Sequence, residues 1–254
     1  MAREVEERPL TTVGVVWASC GCGGMPLGDR LAAMTETSNA TLTNVHDMVV
    51  AHRAFRREFR LLPELVRQVA PGDTARAAVL AGHGRMLLTG LDLHHNSEDL
   101  LLWPKLLERC PPDAELIERM EAQHERVHAA LEQLGPALDR WEAEARPAVT
   151  EEVAAGFDAL RTALVEHLDE EEREILPLAA RHLTQREWDE LGEHGVKDMR
   201  KKDLPIMFGA VAEEATPEER AALFAVVPLP VRVLLRTVFA RQYRRYISRV
   251  RDGR

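Results

Sequence analysis

From Leu42 to about residue 181, apolar residues recur every three or four positions, and three Pro-containing breaks cut the run: Pro71-Gly72, Pro111-Pro112 and Arg146-Pro147. That period predicts helices over about 42–69, 73–109, 113–144 and 150–181, with Asp73 as the N-cap candidate of the second. Joints this short between long helices force neighbours to run antiparallel. The expected fold is therefore all-α, an up-down-up-down four-helix bundle spanning residues 41–182. A chain of 254 residues with 45% apolar composition can bury a full core, which excludes wholesale disorder. No stretch approaches the ~18 uncharged apolar residues of a membrane span.

Each helix carries an apolar stripe that is interrupted in its middle by polar residues of metal-ligating type. The first offers Met48, His52, Phe55, Phe59 and Leu62, and the second Leu87, Leu91, His94, Glu98 and Leu102. The third offers Ile117, Met120, His124, His128 and Leu131, and the fourth Leu160, Leu164, His167, Glu171 and Ile175. Steps of three or four residues keep each set on one helix face. Measured from the turns that join the helices, these polar groups differ in height mostly by a helical turn or less, at about 1.5 Å per residue. His52, His94, Glu98, His124, His128, His167 and Glu171 should therefore share one layer inside the bundle.

Five imidazoles and two carboxylates cannot stand unpaired in an apolar core, because buried charges and unsatisfied donors each cost several kcal/mol. A metal resolves this, since it accepts neutral His nitrogens and carboxylate oxygens together. Zinc is content with four ligands, so seven are too many for one ion. Two octahedral ions offer about twelve positions. Five histidines, two bridging carboxylates and a bridging oxygen ligand fill all but one of them. Mixed nitrogen and oxygen ligation with an open position suits iron that handles dioxygen or peroxide.

The strongest single signal is a repeat. His94-x3-Glu98 and His167-x3-Glu171 are each followed by a second acid (Asp99, Glu172), and ten residues after the His by Pro104 and Pro177. The order His52, His94-x3-Glu98, His124-x3-His128, His167-x3-Glu171 closely resembles the hemerythrin-like (HHE cation-binding) domain over about residues 42–182. The resemblance implies a four-helix bundle holding two iron ions in a non-haem di-iron centre that binds O2 or a related small ligand such as NO or peroxide. It implies His52, His94, His124, His128 and His167 as terminal ligands, with Glu98 and Glu171 as bridging carboxylates. One departure stands out. Oxygen-carrying hemerythrins place the helix-four acid five residues after its His, as an Asp, and here Glu172 holds that offset, so the bridging role lies between Glu171 and Glu172.

Of the other five histidines, His95 is a close rival and four read as bystanders. His95-x3-Asp99 rivals His94-x3-Glu98, rotated by about 100° on the helix, and the parallel with helix four favours His94. His46 should face solvent, His83 lies about 16 Å along the axis from His94, and His182 and His194 fall past the layer. A ferritin-like carboxylate bundle needs Glu-x-x-His on two helices; here only helix three has it, at Glu121/His124 and Glu125/His128.

Residues 183–254 read as a helical extension, with capping boxes at Thr184/Glu187 and Thr216/Glu219. Its last helix, about 231–250, pairs an apolar face with arginines; residues 232–254 carry eight Arg and one Asp. That face is expected to dock on the acidic bundle rather than on an anionic membrane. Residues 1–40 read as a poorly ordered lead-in, in which Cys20-Gly-Cys22 is an incomplete metal site and Met34 a plausible start. Three cysteines exclude a disulfide framework, and the lone Cys110 reads as a small buried thiol. The net charge of −9 argues against a dedicated nucleic-acid binder. The expected protein is cytoplasmic, a small-ligand binding or sensing module, with a peroxide-decomposing enzyme as the alternative. No cleft-forming insertion or pocket for an organic substrate is evident, which favours binding.

Overall fold

The computed structural model describes residues 42–225 and 229–253, so the expectations for residues 1–40 lie outside the described residues. Leu42 onward forms one unit. Its helices are α1 (His46–Arg67), α2 (Thr74–Leu101), α3 (Trp103–Arg109), α4 (Ala114–Glu144) and α5 (Pro147–Glu170). A π turn, Glu171–Ile175, joins α5 to α6 (Leu176–His182). Beyond it come α7 (Gln185–Lys197), α8 (Leu204–Glu214), α9 (Pro217–Ala225), α10 (Leu229–Leu234) and α11 (Ala240–Asp252), the last two joined by a π turn at Leu235–Phe239. No strand occurs among the described residues.

Four rods make the bundle: α1, α2 with α3, α4, and α5 with α6. Alpha1 packs on α5, α5 on α4, α4 on α2, and α2 closes the ring against α1. The joints are those of the expected pattern. Asp73 caps α2 by accepting from the Arg76 amide at 2.9 Å, and Gly72 takes the left-handed φ of +79° that this turn needs. Alpha4 ends on Ala145 in the left-handed region, and Pro147 opens α5 at its first turn. The second rod breaks at Leu102 just before Pro104, which can supply no helical N–H.

The apolar core falls into two separate clusters. The larger is built around Phe59, Leu62, Leu87, Leu138, Trp141 and Phe157. The smaller holds Leu102, Trp103, Leu106, Ile117, Met120 and Ile175. On all four rods the polar layer lies between them: His52, Glu98, His124, His167 and Glu171 are all buried.

The C-terminal helices lie on the bundle. Alpha7 packs on α2, α8 on α1, and α11 on α8 and α2. The Thr184/Glu187 capping box starts α7, and the Thr216 and Glu219 amides are satisfied reciprocally at the start of α9. Glu219 also takes hydrogen bonds from His46 and Arg53, each at 2.6 Å, tying α9 to α1. The expected docking of basic residues on the acidic bundle holds for Arg251, which reaches buried Glu58 of α1 at 2.8 Å and Glu213 at 2.9 Å. Arg57 and His83 contact the same Glu58 carboxylate, and His83 Nδ1 lies 3.1 Å from the Tyr246 hydroxyl. The expected apolar face of the last helix joins the core along its second half, through Tyr243, Tyr246, Ile247 and Val250, while Leu235 and Phe239 of the first half are half-buried. Leu234 and Val238, of the first half, are exposed.

Burial opposes ionisation of Glu58, but the hydrogen bond from His83 and the charges around it prevail and hold the carboxyl at about 2, against an ordinary 4.5. A depressed carboxylate stabilises the fold above pH 4.5, and that stability is lost as pH falls from 4.5 toward 2. Glu58→Gln should destabilise the protein at pH 7 by about 3 kcal/mol, because it leaves Arg57 and Arg251 short of a buried partner. The gap between variant and wild type in urea denaturation should narrow by pH 3. A gap independent of pH would show that the Glu58 charge does not anchor the extension.

Candidate metal centre

The layer between the two core clusters brings five imidazoles and two carboxylates together, but not the seven residues expected. Two groups of donor atoms each lie within 4.8 Å of one another: His52, His94 and Glu98, and His95, Glu98, His124 and His167. Glu98 belongs to both. Its Oε1 lies 3.3 Å from His94 Nε2, and its Oε2 lies 3.4 Å from His124 Nε2. Glu171 spans the same two groups from the opposite rod, with Oε2 3.4 Å from His52 Nε2 and 3.5 Å from His167 Nε2. The imidazoles crowd closely: His52 and His94 Nε2 are 3.2 Å apart, and His124 and His167 Nε2 3.1 Å. His95 stacks on His124 with ring centroids 4.1 Å apart.

His128 is not there. Its side chain is 57% exposed and lies 3.2 Å from Asp92 Oδ1 on the outer surface. The buried stripe of α4 runs Ile117, Met120, His124, Val127, Leu131, Leu134, Leu138 and Trp141. Its step after His124 is three residues, which turns Val127 inward and His128 about 100° away. His95 instead lies in the layer, beside Glu98, His124 and His167. Adjacent residues on α2 flank the line that faces the bundle axis, so His94 approaches His52 while His95 approaches His124 and His167.

On His52, His124 and His167 the ring nitrogen facing away from the centre is held by a hydrogen bond. His52 Nδ1 lies 2.9 Å from Glu172 Oε1, which also accepts from Arg56 at 2.5 Å. His124 Nδ1 lies 2.6 Å from Asp99 Oδ1, which also accepts from Trp103 Nε1 at 2.8 Å. His167 Nδ1 lies 3.2 Å from Gln123 Oε1, and Gln123 donates onward to Glu170 at 2.6 Å. A proton held on Nδ1 by such acceptors leaves the Nε2 lone pair aimed inward, as a metal ligand requires. This geometry separates Glu171 from Glu172. Glu171 starts the π turn and points into the layer, whereas Glu172 reaches the outer nitrogen of His52. Wide turns of this kind are frequent at functional sites.

Electrostatically, the layer is poised for a cation. Burial, then the nearby Glu171 charge, pushes the Glu98 carboxyl well above the ordinary range, and burial also raises Glu171. Burial, then neighbouring imidazoles, holds His94 and His95 well below 6.5 and His167 at about 2, so these rings are neutral. Both oxygens of Glu98, both oxygens of Glu171 and His95 Nε2 are buried without a hydrogen-bond partner. Five orphaned polar atoms converging on one layer are what a bound cation would satisfy.

The hemerythrin HHE cation-binding domain profile matches residues 43–179, a little over half of the chain. The chain belongs to the hemerythrin HHE family. No curated protein and no solved structure gives a significant match. The family's cation-binding character agrees with the buried His and Glu cluster. Asp99 and Glu172 stand out in the sequence as the acids that follow each inward Glu, but as rival ligands; the structure instead sets them against the outer nitrogens of His124 and His52. Gln123, which orients His167, carries no such spacing signal.

In metal-free protein the unpartnered Glu98 carboxyl is a cost. Glu98→Gln should leave chelator-treated protein at least as resistant to urea as wild type, by up to about 1–3 kcal/mol, while impairing metal uptake. A marked loss of stability in metal-free Glu98→Gln would contradict this account.

Proposed function

We propose that this protein holds a non-haem di-iron centre that binds O2 or a related small ligand. The observation that carries the reading is the sharing of Glu98 between two donor groups, with Glu171 touching one histidine of each. One ion would take His52 and His94, and the other His95, His124 and His167, with Glu98 and Glu171 common to both. The count of five imidazoles and two carboxylates is that expected from the sequence, with His95 in place of His128. Iron bound there supplies an exchangeable position at which a small ligand is held or reduced.

The chain's own residues perform three tasks. Apolar clusters on both sides of the layer exclude bulk water. Asp99, Gln123 and Glu172 fix His124, His167 and His52 with Nε2 inward. His94, 13% exposed against 0–5% for the other four histidines, marks the side from which a ligand reaches the centre. Fewer histidines on the His94 side suit an open position there.

Metal analysis of iron-reconstituted full-length protein should give two irons per chain. His95→Ala should lose about half of the iron or more, whereas His128→Ala should keep all of it. Equal retention in both variants would refute the His95 assignment, and iron loss in His128→Ala alone would restore the expected ligand set. A reversible absorption band under O2 supports carriage or sensing, whereas sustained gas evolution from peroxide would make the protein a peroxide-decomposing enzyme.

A further inference from the structure

The sequence shows no insertion that would build a cleft within the bundle, yet the structure has one, made by another route. Alpha7 and α8 pack against α1 and α2 without closing on them completely, and leave a cleft of about 500 Å³. Its bundle wall includes Met48, Phe55 and Leu87, and its outer wall Leu191, Met207 and Phe208. Of the seven residues in the proposed centre, His94 alone lines it.

Size and wall chemistry decide what such a space accepts. A water-sized ligand needs only about 30 Å³, so this cleft far exceeds what a diatomic gas uses. It falls within the ~300–1,000 Å³ of sites for small organic molecules. The charged groups of the bundle wall are already engaged: Asp47 accepts from Trp188 Nε1 at 2.9 Å, and Glu58 is held by Arg57 and Arg251. Exposed Lys201 sits where the cleft meets solvent. Three methionines, Met48, Met199 and Met207, give walls that can adapt to irregular shapes.

We propose that this cleft is a binding site for an uncharged lipophilic molecule, with an aliphatic or aromatic body, seated beside His94. Binding itself does not depend on metal; its relevance to the centre rests on the di-iron reading above. On that reading the C-terminal helices are a second wall that adds an organic-ligand site to a bundle otherwise sized for a diatomic.

The test uses full-length protein and the neutral fluorescent probe N-phenyl-1-naphthylamine, with straight-chain 1-alkanols as competitors. The expected result is one saturable site per chain, in iron-loaded and metal-free protein alike. Alkanol affinity should rise about fourfold per added methylene, the equivalent of ~0.8 kcal/mol, until the chain outgrows the cleft. A Cβ at Gly192 meets nothing within 4 Å, so Gly192→Leu can grow into the cleft without a clash. That variant and Ala51→Leu on the opposite wall should each weaken the probe at least tenfold. Gly135→Leu, on α4 with equally open surroundings and outside the cleft, should leave binding unchanged. Absence of saturable binding, or equal affinity in wild type and both cleft variants, would overturn the proposal. Binding that persists in protein unable to hold iron would overturn only the metal reading, and iron retained without probe binding only the cleft.

Discussion

Glu98 and Glu171 face each other across the interior of the bundle, with no donor among the described residues to satisfy either carboxylate. Everything around them follows from that constraint. A buried carboxylate of this kind is costly unless a cation compensates it. His94, His95 and His167, kept neutral by burial, present lone pairs rather than positive charge, and so cannot serve as counter-ions. The acceptors on the outer nitrogens of His52, His124 and His167 hold those lone pairs inward. The apolar clusters to either side keep water from filling the gap. Such an arrangement makes sense as the protein half of a metal site, which is where membership of a cation-binding family also leads.

The fold was legible because helical period and turn chemistry agree. Pro71-Gly72 and Arg146-Pro147 stop helices where the apolar stripes end, and Asp73 caps where a cap was expected. The polar layer was legible because the His-x3-Glu repeat sits at one height on two rods. What spacing could not settle was rotation. His124-x3-His128 has ideal ligand spacing, but the hydrophobic residues of α4 run through Val127, and their burial sets how the whole helix turns. On α2 the same ambiguity had the opposite outcome, since both His94 and His95 find room beside the axis. A local motif records which residues share a face, whereas the packing of some thirty residues decides where that face points.

The C-terminal helices were harder to read, because their contacts join distant parts of the chain. Nothing near Glu58 in the sequence marks it as the buried anchor for Arg251, nearly two hundred residues later. His83, correctly separated from the centre by its height, belongs instead to this second polar cluster with Glu58 and Tyr246. Arginine density alone predicted a docked face, but the first half of the last helix keeps Leu234 and Val238 exposed. The cleft beside His94 arises from the same incomplete fit and could not be inferred from any single element.

The separation of the core into two clusters has a consequence for how this bundle comes apart. Apolar contacts do not run continuously from one end to the other, because a polar belt crosses the waist. The distal part, comprising α3, α6 and the starts of α1, α4 and α7, is held to the larger core through that belt, through the helix backbones that traverse it and through α7 on α2. Units bounded in this way can open with their own free energy, below that of global unfolding. The belt thus acts as a seam: an ion seated there would fasten two halves that hydrophobic packing alone leaves only loosely joined.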